Sequence, residues 1–128
     1  MEKKRAFSMS IVRGVIVAGM NDTANMIAKL MERHNIGAVV IVKGERVVGI
    51  ISERDITRRV VAKDLNPQKL KAKNFMTTDV VTADFEKGLD SIYQILCKAK
   101  FRHLPIVHKG KLVGIASQRD VLYGIKKI

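Results

Sequence analysis

Residues 49–55 read GIISERD, and residues 114–120 read GIASQRD. Five of the seven positions are identical: Gly49 and Gly114, Ile50 and Ile115, Ser52 and Ser117, Arg54 and Arg119, Asp55 and Asp120. A hydroxyl, a guanidinium and a carboxylate recur in one order, and packing alone does not account for them. Upstream, VIVKGERVVGI at 40–50 faces IVHKGKLVGI at 106–115. The chain is therefore an internal repeat, and its local structure has to be read twice over.

The heptads lie 65 residues apart. Aligning the hairpins on their glycines gives the first copy one extra turn residue, so the offset upstream becomes 66. That register sets Met26, Ile27, Leu30 and Met31 opposite Ile92, Tyr93, Leu96 and Cys97. It also sets Val15 opposite Val81, Ile16 opposite Thr82 and Ile36 opposite Arg102. Each copy opens with a β-branched run, Val15–Val17 or Val80–Thr82. A helix with one apolar face follows, because those apolar residues recur at helical spacing. Two apolar runs joined by Lys43-Gly44-Glu45 or Lys109-Gly110-Lys111 read as a hairpin. A second helix closes each copy, with Ser52 or Ser117 as its N-cap.

The order is β-α-β-β-α, twice, which makes the fold class α/β in the broad sense (α+β). Residues 8–63 and 74–128 form the repeats and 64–73 the linker, where Asn66-Pro67 opens a short turn. Copies of this size are marginal alone. They are expected to pack face to face around a shared core, with pseudo-two-fold symmetry.

Bulk properties narrow the function. The 128 residues carry 24 Lys+Arg against 12 Asp+Glu, a net charge of +12, with Lys69, Lys71 and Lys73 the densest cluster. Such a balance suits an anionic partner, or simply a solvated lysine surface. No apolar run reaches the roughly 18 residues of a membrane span, and MEKKRAF has no apolar signal region behind it, so a cytoplasmic location is expected. The single Cys97 cannot form an internal disulfide and reads as a small core residue on a helix face. Met26, Met31 and Met76 read as core or strand-edge residues, and His34 and His108 as surface residues. No catalytic constellation and no metal-ligand spacing is present in the sequence, so neither an enzyme nor a required cofactor is expected.

Ser-x-x-Asp at a helix start admits two readings. It is close to a capping box, in which Ser takes the third backbone N–H and the acid reaches back. The Arg before each Asp has no place in a cap, and it puts positive charge where the helix dipole disfavours it. Free N–H groups with an added Arg suit a phosphate. The neighbouring Asp can accept from two vicinal hydroxyls, and together these groups suit a ribose phosphate.

The paired units, both hairpins and the endings GIISERDI and GIASQRDV resemble cystathionine-β-synthase (CBS) domains, as do FRHLPIV at 101–107 and NFMTTDVVTA at 74–83. A tandem pair, or Bateman module, would cover residues 8–128. The resemblance implies a regulatory homodimer whose two inter-repeat clefts bind an adenosine-containing ligand, AMP, ADP, ATP or S-adenosylmethionine, and act on a partner protein. It implies ribose contacts from Asp55 and Asp120, and phosphate or ribose contacts from Ser52, Arg54, Ser117, Arg119, Arg102 and His103. Val15, Ile16, Gly37 and Ala38 would flank adenine in one cleft, and Val81, Thr82, His103 and Leu104 in the other. Arg102 and His103 face Ile36 and Gly37 in the alignment, so the clefts should be unequal. The alternatives are a basic nucleic-acid-binding module, disfavoured by four Phe, two Tyr and no Trp, and a ligand-free scaffold.

Overall fold

The computed structural model describes residues 15–98 and 102–117, and the chain forms two compact units, Ile16–Val80 and a second beginning at Val81. In the first, β1 (Val17–Gly19), α1 (Ala24–His34), β2 (Ala38–Lys43) and β3 (Arg46–Ser52) lead into α2 (Glu53–Asp55). The helix continues over Ile56–Val61 with wider, π-type turns, in which Ala62 N–H reaches Thr57 O at 2.9 Å. In the second, β4 (Ala83–Asp84), α3 (Gly88–Lys98), β5 (His103–His108) and β6 (Lys111–Ser117) repeat the order. Each sheet has three strands, the middle one parallel to the first and antiparallel to the third. The mixed α+β class read from the sequence is the observed one. The second closing helix lies outside the described residues. Among the described residues, no helix is long and apolar enough to cross a membrane.

The two units match at a constant offset of 65, not 66. Ala38 pairs with Ser52 where His103 pairs with Ser117, and Val17 to Gly19 meet Val40 to Val42 where Ala83 and Asp84 meet Ile106 and Val107. The cores agree residue by residue. Ala83, Ile92, Leu96, Leu104, Ile106 and Ala116 are buried in the second, and Ala18, Ile27, Met31, Val39, Ile41 and Ile51 occupy the matching places in the first.

The supposed extra turn residue does not exist, because both hairpins turn on two residues, Gly44-Glu45 and Lys109-Gly110. The glycine sits at a different position in each. Gly44 has φ 64° and Glu45 has no positive φ, the pattern of a II′ turn, whereas Lys109 and Gly110 have φ 53° and 79°, as a I′ turn needs. Aligning glycine with glycine thus introduced a gap the backbone lacks. Both hairpins carry a bulge at the same place, with Val48 and Val113 as the unpaired residues.

The corrected register revises three expectations. The first strands start later than the β-branched runs, because β2 and β5 fix the parallel pairing and the helices bear on small residues. Ala18 and Ala83 face inward, while Val17 and Val81 are exposed. Met26, Tyr93 and Cys97 are exposed, and the inward helix positions are Ile27 with Met31 and Ile92 with Leu96, flanked by Leu30 and Ile95. Cys97 is therefore not a core residue, and its thiol, one turn from Tyr93, holds the Tyr93 hydroxyl above its ordinary pKa. His34 is exposed as expected. His108 is only half-exposed, edge-on to Phe85 with ring centroids 6.0 Å apart, and its Nδ1 lies 3.5 Å from Glu86.

Residues 67–77 are built into the first unit. Pro67 and Leu70 carbonyls accept the Asn25 and Ala24 N–H groups at 2.8 Å, satisfying donors that a helix start leaves free. Thr23 Oγ1 accepts a third, from Met26, and Asn35 ends α1 in the left-handed region that Asn tolerates. Ala72 and Phe75 are buried in the first core.

Candidate functional site

Parallel β1 and β2 start at the same end of the sheet, and antiparallel β3 finishes there. Ile16, Gly37, Ala38 and Ser52 therefore converge with the helix that carries Arg54 and Asp55. Glu53 N–H closes the corner by donating to Gly37 O at 2.9 Å. Val15 precedes this corner, half-buried. The same construction in the second unit brings the residues after Val81 and Thr82 together with Arg102, His103 and Ser117. His103 stands opposite Ser117, Arg102 and Thr82 are exposed, and Leu104 lies fully inside the core. Arg119 and Asp120 lie outside the described residues.

In the first unit, four of the five shared letters of GIISERD have structural work. A Cβ on Gly49 would lie 2.8 Å from Met76 Cγ, closer than real Cβ atoms come, so glycine leaves room for the Met76 side chain against β3. Ile50 exchanges backbone hydrogen bonds with Thr77, both 3.0 Å long. Ser52 and Asp55 form a reciprocal capping box: Asp55 N–H donates to Ser52 Oγ at 3.1 Å, and Ser52 N–H donates to Asp55 Oδ2 at 2.9 Å. Arg54 is exposed and forms no hydrogen bond or ion pair among the described residues. It is the one shared letter without a structural role.

The capping reading and the ligand reading of Asp55 are compatible. The box uses Oδ2, and Oδ1 lies 3.7 Å from Arg59 Nε, too far for a hydrogen bond. The carboxylate side chain is only 18% exposed. Sequence reasoning missed Arg59 altogether, because a basic residue four places after an acid on a helix reads as an ordinary surface pair. Its Nη1 also donates to Phe75 O at 2.9 Å, a partner sixteen residues on that no local pattern reveals. The corrected register places Gly37 and Ala38, not Ile36 and Gly37, opposite Arg102 and His103, and Val17 opposite Thr82. The first unit still has no basic side chain there. An open pocket of about 470 Å³ lies elsewhere in the first unit, between the end of α1 and the start of α2, and none of the candidate residues lines it.

The CBS domain pattern matches twice, over residues 9–62 and 72–127. The chain belongs to the CBS domain family. Two CBS domains in tandem form a regulatory module. The chain is 37% identical over 112 residues to the protein MK0525 of Methanopyrus kandleri, covering 86% of this chain and 57% of that one. It thus spans little more than half the length of that relative. A putative signal-transduction protein with CBS domains from Burkholderia ambifaria superposes with a TM-score of 0.80 at 29% identity, over 89% of this chain and 84% of the other. The CBS domain protein PAE2072 from Pyrobaculum aerophilum, solved complexed with AMP, has a TM-score of 0.80 at 23% identity, over 95% and 98% of the two chains. At that identity the likeness speaks for the fold alone.

Proposed function

We propose that this CBS pair binds an adenine nucleotide, AMP, ADP or ATP, and passes the bound state to a protein partner, acting as a cytoplasmic homodimer without catalysis of its own. Asp55 and Asp120 hold the ribose hydroxyls. Ser52, Arg54, Ser117, Arg119, Arg102 and His103 meet ribose or phosphate, and the apolar strand starts around Ile16, Ala38 and Val81 flank the base. The observation that carries this reading is Arg54. It stands in the first turn of a helix, against the dipole, exposed and without a partner among the described residues, and the chain repeats it as Arg119. A fold-mate solved with AMP supports the choice of nucleotide. Binding that favours one conformation of the pair transmits the signal by population shift.

Titration calorimetry with AMP, ADP, ATP and S-adenosylmethionine tests the reading. Asp55→Asn retains an acceptor for the Ser52 N–H, so the unliganded protein should lose no more than about 1 kcal/mol. Nucleotide affinity at that site should fall more than about tenfold, because two charge-assisted bonds to the ribose weaken together. A 2′-deoxy nucleotide should bind the wild type less well and the variant almost as well as its ribose parent. Absence of binding by all four ligands, with tight salt-sensitive binding of duplex nucleic acid, overturns the reading in favour of charge-driven nucleic-acid binding.

A further inference from the structure

Arg59 makes two contacts that together join the nucleotide corner to the segment leading into the second unit. Its Nη1 donates to Phe75 O at 2.9 Å, and its Nε lies 3.7 Å from Asp55 Oδ1. The first contact is a full hydrogen bond. The second is an ion pair that leaves the Oδ1 lone pairs for a ligand. Phe75 is buried in the first core, Met76 lies against Gly49, and Thr77 pairs with Ile50, so the carbonyl that anchors Arg59 belongs to a docked stretch. Ser52 N–H fixes Oδ2 from one side and Arg59 holds Oδ1 from the other.

Resting on the assignment of Asp55 to the ribose, we propose that Arg59 is a positioning residue that ties nucleotide affinity at the first site to the docking of residues 75–77. While the segment is docked, Arg59 is anchored and the carboxylate is aimed. Undocking removes the Phe75 carbonyl, frees the guanidinium and weakens the site. Coupling is reciprocal, so bound nucleotide must in turn favour the docked segment. The sequence contains its own contrast. The first repeat, which hands the chain on to the second, carries Arg59, and the position 65 residues later is Gly124. Adjacent Arg58 has the same charge, is exposed and has neither contact, which makes it the control.

Amide exchange and AMP titration of the full chain test this. In the wild type, AMP should slow exchange at Thr77, whose N–H donates to Ile50 O. Arg59→Gln should weaken AMP at the first site by about fivefold, at the low end of typical coupling factors, and abolish the AMP-dependent change at Thr77. Arg58→Gln, which removes the same charge, should leave that change in place and alter affinity less than about twofold, as screened surface charges do. Arg59→Lys restores a charge beside Asp55 without the planar fork, so it should recover part of the affinity and none of the response at Thr77. AMP binding with unchanged exchange at Thr77 in the wild type overturns the tie and leaves the nucleotide reading standing. Equal losses in Arg58→Gln and Arg59→Gln overturn it as well. A wild type that binds no AMP overturns both.

Discussion

The first and second repeats share a backbone plan and differ in what is attached to it. Six core positions coincide at one offset, both hairpins bulge at the same place, and both sheets pair in the same sense. The polar endowment is unequal. The first unit offers Gly37 and Ala38 at the strand start and places its cation, Arg59, on the helix behind the carboxylate. The second brings Arg102 and His103 at the strand start and has Gly124 where the first has Arg59. Duplication thus preserved the apolar frame, in which every position touches many others, and let the polar positions at its rim diverge, where substitution costs little packing.

The largest effect should come from the shared frame. Ile41 and Ile106 are fully buried at matching positions, so Ile41→Ala and Ile106→Ala should each cost about 2–5 kcal/mol. Denaturant titration followed by probes in each unit would read both. Losses differing by more than the spread expected for one chemistry would break the equivalence of the two cores.

Next in size is the difference between the sites. Arg102 is exposed and has Gly37 as its counterpart, so calorimetry should resolve one strong and one weak nucleotide site per chain. A charge-assisted hydrogen bond contributes about 1.5–3 kcal/mol. Arg102→Ala should therefore cost the strong site about tenfold or more and bring the two affinities together. Two equal sites in the wild type would contradict the asymmetry.

The cap comes third. Ser52→Ala removes the acceptor for Asp55 N–H and should lower stability by about 1 kcal/mol in a thermal melt. A neutral result would mean that the capping box contributes nothing beyond holding Asp55.

The smallest effect separates the turns. Lys109 holds φ 53°, which Asn tolerates better than Lys. Lys109→Asn should stabilise by a few tenths of a kcal/mol, whereas Glu45→Asn, at a position without positive φ, should bring no such gain. Equal responses would mean that the two hairpins share one turn type after all.

The repeat, the element order and the candidate corner were legible in the sequence because each depends on local rules: strand and helix periodicity, turn residues, and a cap followed by an unexplained arginine. The heptad alone carried Ser52, Arg54 and Asp55 to one helix start, since four consecutive residues leave a helix little choice of geometry. The sequence did not decide the register between copies. Glycine serves at either position of a two-residue hairpin turn, so matching letters did not mean matching places. Nor could β-propensity tell that Ala18 and Ala83, rather than the neighbouring valines, face the helices, because helix–sheet distance is a property of the packed unit. Arg59 was invisible for the same reason. Its anchor is a main-chain carbonyl sixteen residues away, available only because Phe75 folds back into the first core, and a carbonyl leaves no mark in a sequence.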